Sequence, residues 1–94
     1  MAKNKKQEFN FEVRFAREWK GGGITFALDL PLEDGRQITI YGCRIAASRE
    51  GSNFIRFPNR KGTDNKYYSH AYVELSQDEQ DEIIEAVMEE LKNN

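Results

Sequence analysis

Arg56, Arg60, Lys61 and Lys66 place four cations within eleven residues, interleaved with Phe54, Phe57, Tyr67, Tyr68 and Tyr72. Cations at that density can neutralise several phosphates, the main source of affinity for nucleic acid. Phe54, Tyr67, Tyr68 and Tyr72 add flat faces on which unpaired bases stack, at roughly 1–3 kcal/mol per base. Trp19 and Lys20 sit beside Gly21-Gly22-Gly23 and form a second contact point, since a mobile loop with an aromatic and a cation can close over a strand. The nucleic-acid-binding candidates are therefore Arg56, Arg60, Lys61, Lys66, Tyr67, Trp19 and Lys20. Packing competes with this reading at Phe54, Phe57 and Tyr72, because aromatics in short strands serve the core or a cross-strand neighbour first.

Other reactive residues give no catalytic constellation. His70 is the only histidine, with no Cys or His beside it in sequence to suggest a metal site. Cys43 lacks a CxxC partner and reads as a small buried hydrophobe. Ser48, Ser52 and Ser69 lack a Gly-x-Ser-x-Gly setting, and Gly21-Gly22-Gly23 lacks the spacing of a phosphate-cradling loop. The expectation is a non-enzymatic protein with no cofactor, no metal and no small-molecule substrate.

The elements that must position the candidates follow from periodicity. Phe9, Phe11, Val13 and Phe15 alternate with polar residues as a half-buried strand. Ile24, Phe26, Leu28 and Leu30 form a second. Asp34-Gly35 signals a hairpin in which both residues take positive φ. Residues 36–45 form a third strand, whose apolar phase slips from Ile38 and Ile40 to Tyr41, Cys43 and Ile45. Either a bulge at Gly42 resets the alternation, or the strand is covered on both faces. Residues 54–57 form a fourth strand, 58–66 a long turn and 67–73 a fifth strand.

Ser76 and Glu79 form a capping box at a helix start. Ile84, Val87, Met88 and Leu91, flanked by Ile83, recur at helical spacing behind it. The expected fold is α+β: an antiparallel β-meander of about five strands followed by one C-terminal amphipathic helix. Residues 1–8 read as a flexible basic arm and 9–94 as one domain.

Charge divides along the chain. Residues 74–94 hold eight carboxylates against Lys92, a net −7, whereas residues 1–73 carry +5. A pI near 5.4 is compatible with nucleic acid if those charges separate in space. Polar residues 1–10 and the lack of any long apolar run predict neither leader nor membrane span, and one cysteine fits a reducing cytoplasm. A chain this small is expected to pair with a second copy.

From about residue 37 to 91 the chain resembles the SpoVG family of bacterial regulators (stage V sporulation protein G, also called septation proteins). Three segments carry the resemblance: Cys43-Arg44-Ile45, the run Phe54-Ile55-Arg56-Phe57-Pro58-Asn59-Arg60-Lys61, and Asp64-Asn65-Lys66-Tyr67 leading through His70-Ala71-Tyr72 to the helix. It implies a small β-rich dimer that binds DNA or RNA as a regulator, with contact at Arg60, Lys61 and Lys66. The chain departs from the family in having Val73-Glu74 where a proline is usual, and in the half containing Trp19. A β-meander plus helix is also similar to the Whirly-type single-stranded DNA-binding fold. A protein-interaction or inhibitor module acting through the acidic helix or a sheet edge is the alternative from another class.

Overall fold

A computed structural model describes residues 9–69 and 71–93, with the backbone alone for 67–69. The expected basic arm at 1–8 and His70 lie outside the described residues. Four strands, β1 (Glu12–Glu18), β2 (Ile24–Pro31), β3 (Gln37–Ala47) and β4 (Asn53–Arg56), form an antiparallel meander in sequence order. Two short strands, β5 (Asn59–Lys61) and β6 (Tyr67–Ser69), pair as a separate hairpin, and the helix α1 (Gln77–Lys92) follows. The architecture is α+β, an antiparallel sheet followed by a C-terminal helix.

One turn geometry closes all four of these hairpins. In each, the first residue of a five-residue loop donates its N–H to the fifth, and the fourth donates back to the first: Trp19 with Gly23, Leu32 with Arg36, Ser48 with Ser52, Gly62 with Lys66. The fourth residue is left-handed: Gly22 at φ 94°, Gly35 at 93°, Gly51 at 91° and Asn65 at 67°. Glycine, and less often asparagine, tolerates that region because no branched side chain meets the backbone. Asp34 therefore does not share the positive φ expected of it. It serves the turn through its side chain instead, accepting from the Arg36 N–H at 3.1 Å.

Two bulges set the sheet's faces. Between the Phe26–Cys43 and Leu28–Ile40 pairs, Tyr41 and Gly42 together oppose Ala27, with Gly42 at φ 83°. Of the two explanations for the phase slip, the bulge is the one adopted. Cys43 and Ile45 rejoin the face of Ile38 and Ile40, and Tyr41 is left on the other side. A second bulge lies in β1 between Arg14 and Arg17, with Phe15 at φ 57°. It overturns the expected run of four phenylalanine and valine positions on one face: Ala16 enters the core, while Phe15 is 61% exposed.

The core joins Phe26, Leu28, Ile40, Cys43 and Ile55 of the sheet to Ile83, Ile84 and Val87 of α1. Each large aliphatic side chain buried there contributes roughly 1.5–3 kcal/mol. Ile83 lies at the centre of the helical stripe rather than its flank, and Met88, expected within the stripe, is half exposed. The capping box is formed: Glu79 N–H donates to Ser76 Oγ, and Ser76 N–H to Glu79 Oε1. The helix also closes the β4 edge, since Ile55 N–H donates to Gln80 Oε1 and Gln77 Nε2 donates to Asn53 O. Side chains thus satisfy backbone groups that an open edge would offer to another chain.

The stretch 58–66 is not one long turn, because β5 begins at Asn59. Nor does the last strand reach residue 73. Its partner β5 is only three residues long, so pairing ends at Ser69, and Ala71, Val73 and Leu75 then pack unpaired against the core. No helix among the described residues is long and apolar enough to cross a membrane.

Candidate nucleic-acid interface

The sheet face away from α1 is built by register. Arg17 opposes Thr25, Thr25 opposes Arg44 and Arg44 opposes Arg56, so one row crosses all four strands with three arginines and one threonine. Directly opposite residues of an antiparallel pair share a face, about 4.5–5.5 Å apart at Cβ. The neighbouring row brings Arg14 and Ala27 beside Tyr41. Arg14 and Arg17 lie three residues apart, as do Tyr41 and Arg44. Strict alternation would put the members of each pair on opposite faces, and the bulges bring them together.

Aromatic rings flank the arginines. The Phe15 and Tyr41 rings lie 6.2 Å apart at 19° to one another, with Tyr41 63% exposed. Trp19 donates from Nε1 to Thr25 Oγ1 at 2.8 Å, and the Arg17 guanidinium stands 4.0 Å over its ring. The loop expected to close over a strand is thus a hydrogen-bonded turn that fixes Trp19 against the arginine row.

Charge on this face is mostly unopposed. Arg14 is committed, its Nε donating to Asp29 Oδ2 at 2.6 Å and its Nη2 to Oδ1 at 3.3 Å. Thr39 Oγ1 donates to the same Oδ1 at 2.6 Å. These donors, Arg14 foremost, hold the buried Asp29 carboxyl below its ordinary range and raise Arg14 further. Among the described residues no carboxylate lies within ion-pair distance of Arg17, Arg44 or Arg56. The exposed carboxylates Asp78, Asp81, Glu82, Glu85 and Glu89 belong to α1, which packs on the opposite face. The arginine row and the acidic outer side of α1 thus lie on opposite sides of the sheet.

A groove of about 590 Å³ opens beside the row, lined by Thr25, Gly42, Arg44, Arg56, Phe57, Pro58 and Asn59. A shallower depression of about 140 Å³ lies against Phe15 and Tyr41 and shares Thr25 and Gly42 with it.

Of the residues expected from sequence, Arg56 and Trp19 stand on this face. Arg60 and Lys61 are exposed on β5, joined to the groove through Asn59. Lys20 is exposed in the β1–β2 turn, and Lys66 in the turn at the far end of the β5–β6 hairpin. Tyr67 pairs with Lys61 through its backbone in β6. Arg14, Phe15, Arg17, Tyr41 and Arg44 were not anticipated. Arg14 and Arg44 occupy polar slots in their strands' alternation, whereas Phe15, Arg17 and Tyr41 fall in apolar phase, and only the register joins all five into one surface.

Phe57 is buried and meets Tyr72 edge-on at 5.5 Å, a packing role, while Phe54 is half-buried opposite Ala46. Burial pushes the Cys43 thiol up to about 11, leaving almost no thiolate at neutral pH. No family model matches the chain, and comparisons with curated proteins and with solved structures find no match.

Proposed function

We propose that this protein is a non-enzymatic nucleic-acid-binding regulator of the cytoplasm, working as a homodimer and binding through the open face of its sheet. The observation that carries this reading is the row Arg17–Thr25–Arg44–Arg56: three cations without carboxylate partners among the described residues, beside exposed Phe15, Tyr41 and Trp19, on the side away from the acidic helix. Cations supply phosphate affinity and exposed rings supply stacking, and here they occupy one surface. The resemblance to SpoVG proteins points the same way, since two segments that carry it hold Arg44 and Arg56. Arg60, Lys61, Lys66 and Lys20, all exposed, are proposed as further phosphate contacts.

Fluorescence anisotropy with labelled single-stranded DNA, single-stranded RNA and duplex DNA at low salt tests the proposal. Binding should weaken linearly with the logarithm of salt concentration, by about 0.7 in slope per phosphate neutralised on a single strand. No binding to any of the three would end it. A second reading has its own observation: five exposed carboxylates on the outer side of α1, a surface suited to a basic protein partner. Reversing Glu85 and Glu89 to lysine should leave nucleic-acid binding intact or strengthen it. Loss of a pulled-down basic partner in that variant would support the second reading instead.

A further inference from the structure

We propose that the interface takes unpaired nucleic acid rather than duplex, seating a phosphate between Arg44 and Arg56 and a neighbouring base against the Phe15–Tyr41 pair. This rests on the nucleic-acid reading above and adds to it the strand form and the place of each part of a nucleotide.

Arg44 and Arg56 are direct cross-strand partners. Like charges in that position repel, and among the described residues no carboxylate relieves them. They line the 590 Å³ groove together with Thr25 and Asn59. Thr25 Oγ1 accepts from Trp19 Nε1, so its own hydroxyl hydrogen remains to donate. Asn59 Nδ2 uses one hydrogen on Phe57 O at 3.2 Å and keeps a second. Two guanidinium forks, a hydroxyl and an amide hydrogen thus face a groove in which a phosphate would relieve the repulsion and accept from each donor.

The second half of the site is contiguous with the first. The depression under Phe15 and Tyr41 shares Thr25 and Gly42 with the groove, so phosphate and base positions adjoin. Phe15 holds a left-handed backbone while its ring lies mostly in solvent. A bulky residue strained in that region without burial in return is the kind of outlier that gathers at binding sites. Stacking on these rings needs an open base face. A duplex covers its base faces with neighbouring pairs and presents phosphates and base edges, whereas an unpaired strand offers faces and phosphates together.

The test uses the full chain, one short labelled oligonucleotide and the same oligonucleotide annealed to its complement. The single strand, DNA or RNA, should bind about ten-fold tighter than the duplex. Arg44→Gln with Arg56→Gln should lower the salt slope on the single strand by about 0.7, corresponding to the one phosphate seated between them. Tyr41→Leu should weaken single-strand binding about ten-fold with an unchanged slope and leave duplex binding unaltered. Thermal melts check that both variants fold, and the arginine pair, relieved of repulsion, should melt no lower than the parent.

Duplex binding as tight as single-strand binding would overturn this inference while leaving the nucleic-acid reading intact. Absence of any binding would overturn both. A mononucleotide or inorganic phosphate competing as well as the oligonucleotide would make the groove a small-anion pocket and overturn the strand assignment. So would a dimer that dissociates in the Arg44/Arg56 variant, since the groove would then hold a second copy's carboxylates.

Discussion

Replacing Gly42 with alanine perturbs the residue that lets Tyr41 and Arg44 share a face. Gly42 sits at φ 83°, where an L side chain costs about 1–2 kcal/mol. Steric contact adds little, because a Cβ there would stand 3.7 Å from Pro58 Cβ, an ordinary van der Waals distance. Alanine's restriction of the unfolded chain returns a fraction of the cost, leaving a net loss of about 1 kcal/mol. For a domain of this size that lowers Tm by about 4–8 °C. Gly21→Ala is the matched control: its φ is not left-handed and nothing lies within 4 Å of its added Cβ, so it should be as stable as the parent or up to about 1 kcal/mol more stable. Melts followed by circular dichroism give both numbers, and oligonucleotide affinity measured on the same samples reports whether the face survives. If Gly42→Ala melts with Gly21→Ala, the bulge does not hold a left-handed residue, and the arginine row assembled from its register fails with it.

Further perturbations address the remaining parts of the fold. Ser76→Ala removes one side of the capping box and should cost about 1 kcal/mol in chemical denaturation; an unchanged midpoint would mean the cap contributes nothing. Asp29 is held below its ordinary 3.8, so its stabilising effect is full above that pH and is lost as pH falls through the lower folded value. Asp29→Asn should therefore be less stable at neutral pH and show a shallower acid decline below about pH 4; a decline parallel to the parent would contradict the Arg14 pairing. Cys43, raised from 9.0 to about 11, should carry about 100-fold less thiolate than a free thiol at pH 8. An aromatic disulfide reagent should accordingly label it only after denaturant is added, and rapid labelling of the native protein would contradict its burial.

Local signals made part of this molecule legible from its residues. The Ser76–Glu79 pair and the apolar spacing behind it suffice for α1, because a helix and its cap are built from neighbours in sequence. The phase slip between Ile40 and Cys43 pointed to the Gly42 bulge, since glycine marks a place where positive φ is cheap. The bulge at Phe15 had no such mark: it falls on a bulky residue, and the alternation of Phe9, Phe11, Val13 and Phe15 runs unbroken into it. The β5 strand was hidden because Asn59-Arg60-Lys61 is polar and wholly exposed, so no burial pattern imprints it. The binding face was half legible for a different reason. Arg60, Lys61 and Lys66 cluster along the chain and draw the eye, whereas Arg17, Arg44 and Arg56 are far apart in sequence and meet only through strand register.

On the proposed reading the open sheet face, and not the acidic helix, meets nucleic acid. An NMR titration of the labelled protein with a short single-stranded oligonucleotide tests it residue by residue. Shifts should concentrate at Phe15, Arg17, Thr25, Tyr41, Arg44 and Arg56, with the Trp19 indole signal among them and the outer positions of α1 unmoved. Shifts confined to α1, or to the β5–β6 turn with the arginine row unchanged, would contradict it.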